Sequence, residues 1–224
     1  MRFRHDNKEE QSGNRPVISP ATDAWQPLSD GLAWLRGVCG RREIPTIRTD
    51  TEMVMRGILQ EAQPARILEV GTAIGYSACM MATVLPEAAV TTIEIYDRSF
   101  YDAKEAIERL GLSDRIEQHL GDAAEVLPAL AEAGRRFDLA FIDAAKSHYR
   151  TYFEAALSMM ESGGLILCDN LMLGADLTAP GSGDKRHRTS AKRMERFLED
   201  LRQDSRVATD FYECGDGLSV SRIL

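Results

Sequence analysis

Long apolar runs are missing from this chain of 224 residues. Nowhere do the roughly 18 consecutive apolar residues of a membrane-crossing helix occur, so neither a membrane span nor a membrane partner is expected. Residues 1–16 lack the apolar core of a secretory signal. Cysteine is scarce: Cys39, Cys79, Cys168 and Cys214 show no paired spacing, which leaves buried free thiols and a cytoplasmic location as the expectation. Positive charge is short as well. A net charge of −8 argues against a generally basic, sequence-indifferent nucleic-acid binder. Gly-x-Gly-x-x-Gly and a catalytic Tyr-x-x-x-Lys are both absent, which counts against a nicotinamide oxidoreductase.

An apolar content of 44% with 28% charged residues is ordinary for a globular protein, and the length suits one well-packed α/β domain. Residues 1–22 are polar and aperiodic and read as a disordered or loosely packed tail, leaving 23–224 as a single domain. The organising stretch is Arg66–Met81, RILEVGTAIGYSACMM. A buried strand runs into the turn Gly71-Thr-Ala-Ile-Gly75 and then a helix start, the arrangement by which open α/β sheets hold nucleotide-like ligands. Gly71 and Gly75 would let backbone approach a ligand without a Cβ in the way.

Helices are expected over about Leu28–Gly40 and Thr49–Ala62, the second capped by Thr49 or Asp50. Strands follow at Arg66–Val70, Val90–Ile95, Arg115–Leu120, Phe137–Ile142 and Leu165–Cys168. They alternate with helices, one of them over Ser147–Met160, and Gly163-Gly164 is read as the turn into the fifth strand. This pattern predicts a doubly wound, Rossmann-like parallel sheet. Residues 171–186 read as a long loop and a lid candidate, followed by a basic helix. Val207–Glu213 and Leu218–Ile223 flank a Gly-Asp-Gly turn, so the last two strands should pair antiparallel.

Each of the first five strands ends in an acid or leads to one: Glu69, Glu94, Asp122, Asp143 and Asp169. In a parallel sheet these ends share one edge, and the acids converge on one crevice. Glu94 is placed to take the two hydroxyls of a ribose. Asp143, Asp169 and Asn170 offer only oxygen ligands, which suit Mg²⁺ or another hard divalent cation. Lys146, three residues after Asp143, reads either as a solvated helix-terminal lysine or as a base beside the metal, where an ammonium is disfavoured.

The motifs ILEVGTAIGYS, TIE, GDA, FDLAFIDAAK and GGLILCDN, closing with GDGLSVS, resemble the small metal-dependent, S-adenosylmethionine-dependent O-methyltransferases over residues 28–224. That family includes catechol and caffeoyl-CoA O-methyltransferases and their bacterial relatives. The resemblance implies a seven-stranded methyltransferase sheet with its last strand antiparallel. It implies cofactor contacts at Glu69, Gly71, Ser77, Glu94, Asp122, Ala123 and Asp143, to which Thr72, Gly75 and Tyr76 of the glycine turn are added. It implies metal ligation by Asp143, Asp169 and Asn170, and catalysis by Lys146 with Asp143. The cation would bind and acidify a hydroxyl of a catechol-like acceptor, Lys146 would take the proton, and the oxyanion would attack the sulfonium methyl in line. Ile47 stands where some relatives carry Met. A homodimer is implied by the relatives.

Lys185 to Arg206 carries eight Lys/Arg against four Asp/Glu, a local charge of +4. Such a run is ordinarily a solvated helix face. The alternative is a docking surface in which Arg186, Arg188, Lys192, Arg193 and Arg196 contact an anionic substrate, as in the bacterial members that methylate 5-hydroxyuridine at the tRNA wobble position. A non-catalytic cofactor-binding protein is the remaining competitor.

Overall fold

The computed structural model describes residues 17–18, 24–171 and 185–224, with the backbone alone at 17–18 and 185–191. A two-residue strand β1 (Val17–Ile18) comes first, then helices α1 (Asp30–Arg41) and α2 (Thr49–Ala62). The alternation read from the sequence follows: β2 (Arg66–Val70), α3 (Tyr76–Val84), β3 (Ala89–Glu94), α4 (Asp97–Arg109), β4 (Ile116–Leu120), α5 (Ala123–Glu132), β5 (Phe137–Ile142), α6 (Tyr149–Leu157) and β6 (Met160–Cys168). Helix α7 (Lys185–Gln203) and the hairpin β7 (Val207–Tyr212) and β8 (Leu218–Ile223) close the chain.

Among the described residues the strand order is β1-β7-β8-β6-β5-β2-β3-β4. Every neighbouring pair is parallel except β6–β8 and β7–β8, so β8 alone is reversed, as the turn chemistry predicts. Seven strands make the expected doubly wound sheet. Val17–Ile18, in the segment read as a tail, adds a short eighth beside Phe211 and Tyr212.

Successive side chains point to opposite faces, and both faces are covered. Ile67, Leu139, Phe141, Leu165 and Leu167 pack under α1 to α4. Leu68, Val70, Ala140, Ile142 and Ile166 pack under α5 to α7. Helix α7 is held by Met194, Phe197, Leu198 and Leu201, with the Phe197 ring 5.9 Å from Tyr149 and 5.8 Å from Phe153. No helix among the described residues is long and apolar enough to cross a membrane. All four cysteines are free and buried.

Three local expectations are corrected. Gly163-Gly164 is no reversing turn but lies inside β6. Gly163 takes φ +88°, and the register slips from Phe137–Met160 to Leu139–Leu165, so the glycines form a bulge. The helix expected over Ser147–Met160 begins as a 3₁₀ turn (Lys146–His148) and becomes α-helical only at Tyr149, ending at Leu157 because β6 already starts at Met160. The cap of α2 is Arg48, without a side-chain bond. Asp50 is occupied elsewhere, accepting from the Gly215 N–H of the β7–β8 turn at 2.7 Å.

Candidate active site

The chain winds outward from β2 through β3 to β4, then returns to β5 and β6 on the other side of β2. The carboxyl ends of β2 and β5 therefore flank the point where the winding direction changes, the usual place for a ligand in such sheets. Backbone bonding runs past the strand ends: Asp143 N–H reaches Val70 O at 3.0 Å and Asp169 N–H reaches Ile142 O at 3.1 Å. Gly71, at φ +103°, fits so closely here that a Cβ would lie 2.0 Å from the Asp143 carbonyl oxygen. The sequence assigned Gly71 to clearance for a ligand. The clearance it provides is first of all for the end of β5.

The glycine turn is tied to β3. Glu94, nearly buried, accepts the N–H groups of Ala73 at 2.8 Å and of Tyr96 at 3.0 Å. Ala73 is held at φ +47°, so the carboxylate secures a turn that its own residues disfavour. Below it, Glu69 is fully buried. Thr92 Oγ1 donates to Glu69 Oε2 at 2.5 Å, and the Thr72 and Thr92 hydroxyls are bonded at 2.5 Å. Burial pushes the Glu69 carboxyl up to about 7, against the opposing Ser77 and Thr92 hydroxyls.

That shift has a measurable sign. From about 4.5 to about 7 the unfolded chain releases this proton while the folded chain keeps it, so the site's contribution to stability falls as pH rises through that window. Glu69→Gln, which still accepts from Thr92, removes the fall. In thermal melts the variant should gain on the wild type between pH 5 and pH 8 by up to about 3 kcal/mol. An equal difference at both pH values contradicts this reading.

The metal-ligand candidates come together on neighbouring strand ends. Asn170 Nδ2 donates to Asp143 Oδ1 at 2.9 Å, and Asn170 is in the left-handed region at φ +62°. Asp169 is buried, and its Oδ1 has no hydrogen-bond partner among the described residues. Burial, then the charge of Asp143, pushes Asp169 up to about 7. Burial raises Asp143 too, opposed by Asn170 and by the Lys146 ammonium. Lys146 is half-buried on the 3₁₀ turn. Tyr149, buried behind the pair, donates its hydroxyl to the Asp169 carbonyl at 2.7 Å.

Ser77, Gly71, Ile74 and Asp143 line a narrow crevice, roofed by Cys39, Pro45, Thr46 and Ile47. Gly75, at φ +84°, caps α3. Asp122 is exposed and caps α5 by accepting from Ala124 N–H at 2.8 Å, with Ala123 buried behind it. Tyr76 also lines the crevice, while its hydroxyl donates to Glu52 and accepts from Arg36. Lys192, Arg193 and Arg196 are exposed on α7. Residues 172–184 of the lid candidate and the side chains of Arg186 and Arg188 lie outside the described residues.

Thr92 and Tyr149 were missed by sequence reasoning. Thr92, a polar residue in an apolar strand, carried a signal. Tyr149 carried none, because its partner is a backbone carbonyl from another strand.

Residues 40–224 match the family model described as O-methyltransferase. The chain belongs to this O-methyltransferase family. Among its relatives, a catechol O-methyltransferase of Mycobacterium tuberculosis is 34% identical over 177 residues, covering 76% of this chain and 78% of the relative. A catechol O-methyltransferase of Niastella koreensis is 38% identical over 117 residues, 51% of this chain, and there the match spans about half of the relative (53%). An O-methyltransferase from Bacillus cereus, solved in complex with SAH, superposes with a TM-score of 0.77 at 26% identity, covering 88% of this chain and 91% of that one. These likenesses bear out the expected methyltransferase fold and the assignment to S-adenosylmethionine-dependent O-methyltransferases.

Proposed function

We propose that this O-methyltransferase moves the methyl group of S-adenosylmethionine to a hydroxyl of a small catechol-like acceptor with the help of a hard divalent cation, Mg²⁺ first of all. The observation that carries the reading is the acid pair at the ends of β5 and β6. Two carboxylates share a desolvated corner, one with an oxygen that has no partner among the described residues, beside an Asn held in a disfavoured backbone conformation. Such an arrangement is self-repelling when ionised and fits a cation that takes oxygen ligands. Asp143, Asp169 and Asn170 would hold it. When bound, the cation supplies Lewis acidity to the acceptor hydroxyl.

The remaining work falls to the chain. Lys146, facing Asp143 from the 3₁₀ turn, would take the acceptor proton in its neutral amine form, which a cation bound beside it favours. Glu94 and the turn from Gly71 to Ser77, with Asp122 and Ala123 at the start of α5, bind and orient the methyl donor. The roof of Thr46 and Ile47 keeps water from the crevice, so that nucleophile and methyl meet at near-attack distance. Relatives named as catechol and caffeoyl-CoA O-methyltransferases support a small hydroxylated acceptor.

The test is methyl transfer from labelled S-adenosylmethionine with Mg²⁺, offering catechol and 5-hydroxyuridine-containing tRNA in parallel, with and without EDTA. EDTA-sensitive label in catechol is the expected result. Label in tRNA alone replaces the small acceptor with RNA and gives the exposed Lys192, Arg193 and Arg196 a docking role. Transfer untouched by EDTA removes the cation from the scheme.

A further inference from the structure

One buried charge cluster takes no part in the chemistry above. Glu52 of α2 is completely buried, yet its carboxylate collects partners from four segments. Oε1 binds Arg56, one turn on. Oε2 accepts from Arg36 Nη2 of α1 at 2.5 Å, from the Tyr76 hydroxyl of α3 at 3.0 Å and from Trp25 Nε1 at 3.0 Å. Arg36 is the branching point. Its Nε donates to the Tyr76 hydroxyl at 3.0 Å, its Nη2 donates to the Ile47 carbonyl at 3.1 Å, and its guanidinium lies 4.2 Å over the Tyr76 ring. Burial pushes the Tyr76 hydroxyl up to about 12, so it stays a donor.

These bonds join the two walls of the crevice. Ile47 belongs to its roof, which comes from the end of α1 and the segment joining α1 to α2. Tyr76 follows Gly75 and precedes Ser77 on its floor. The sheet does not fix the roof against the floor. Apolar packing alone would stabilise the junction about as well, because burying an ion cluster brings little net stability. What directional, charge-assisted bonds add is register.

We infer that Glu52 and Arg36 are positioning residues for the methyl donor, a polar clamp that sets the spacing between the Ile47 roof and the Tyr76 floor. This rests on the cofactor assignment above. The clamp touches neither donor nor acceptor. Its loss should weaken donor binding by loosening the crevice while leaving the chemistry intact once the crevice is filled.

The experiment is calorimetric titration of the full-length protein with S-adenosylhomocysteine, paired with KM and kcat for S-adenosylmethionine. Glu52→Gln keeps an acceptor but loses the charge. Arg36→Lys keeps a cation but cannot bond Glu52, the Tyr76 hydroxyl and the Ile47 carbonyl at once, so it remains informative should Glu52→Gln fold poorly. Phe211→Leu, in β7 on the far side of the sheet, controls for general destabilisation. The expected result is a 5- to 20-fold weaker Kd and a matching rise in KM for both clamp variants, with kcat within about threefold and the Phe211→Leu Kd unchanged. Wild-type affinity in both clamp variants, or a loss of affinity that Phe211→Leu shares at equal loss of Tm, overturns the clamp. Absence of binding by the wild type overturns the cofactor assignment, and the clamp falls with it.

Discussion

Asp169→Asn should lower methyl transfer by about 10³-fold while the folded protein becomes no less stable. The loss follows from the charge. The substitution keeps the shape of the side chain and removes one of two carboxylates that would hold the cation, and several kcal/mol of Lewis-acid stabilisation at about 1.4 kcal/mol per decade gives that factor. The stability follows from the same corner without metal. There Asp169 faces desolvation and the charge of Asp143, and one of its oxygens has no hydrogen-bond partner among the described residues. A neutral amide relieves both. The measurement is single-turnover transfer at saturating Mg²⁺ beside a melt in EDTA. The melt should stay level or rise by a few degrees at pH 8, where the wild-type carboxyl, titrating at about 7, is ionised. Activity within tenfold of wild type would show that Asp169 is not a ligand. A melting temperature well below wild type would show that the carboxylate supports the fold.

Gly71→Ala should be among the most damaging single changes to the fold, costing about 3 kcal/mol or more. Two effects combine. The backbone at φ +103° is strained for any residue with a Cβ, and the new carbon would lie 2.0 Å from the Asp143 carbonyl oxygen. Relief requires β2 and β5 to part at their carboxyl ends, and the Asp143 backbone would move with them. Chemical denaturation measures the stability, and methyl transfer at a temperature where the variant is folded measures the displacement. The expected pairing is a large fall in midpoint with at least a tenfold fall in transfer. A variant within 1 kcal/mol of wild type would mean that this strand junction yields more readily than the geometry implies.

The strands were legible because most are short, largely apolar runs bounded by glycine, proline or an acid, and β2, β5 and β8 fall on their expected residues. The reversed strand was legible from its turn chemistry. The acids at the strand ends could be read together because parallel strands share a carboxyl edge, a property of topology that needs no side-chain geometry. What escaped was long-range and directional. Tyr76 read as part of a ligand turn, yet its hydroxyl serves a glutamate 24 residues earlier. Gly71 carried the right residue type for a different reason, because the neighbour that demands its missing Cβ lies on β5. Gly163-Gly164 looked like a turn because no local signal separates a turn from a bulge in a continuing strand.

The reversal of β8 has a consequence for where the chain tolerates change. Because β7 runs with the parallel strands, the β7–β8 turn arrives at the edge that carries the acids. There Gly215 donates to Asp50 and the Gly217 carbonyl accepts from Leu171 N–H at 3.1 Å. A Cβ on Gly215 would lie 2.3 Å from Thr51 Oγ1, so no larger residue fits at that contact. Leu224, at the other end of β8, emerges at the opposite edge beside Arg206. The molecule thus has a closed rim and an open one. Lengthening the last hairpin would press on the edge that carries Asp143 and Asp169, whereas sequence added after Leu224 leaves from the opposite edge.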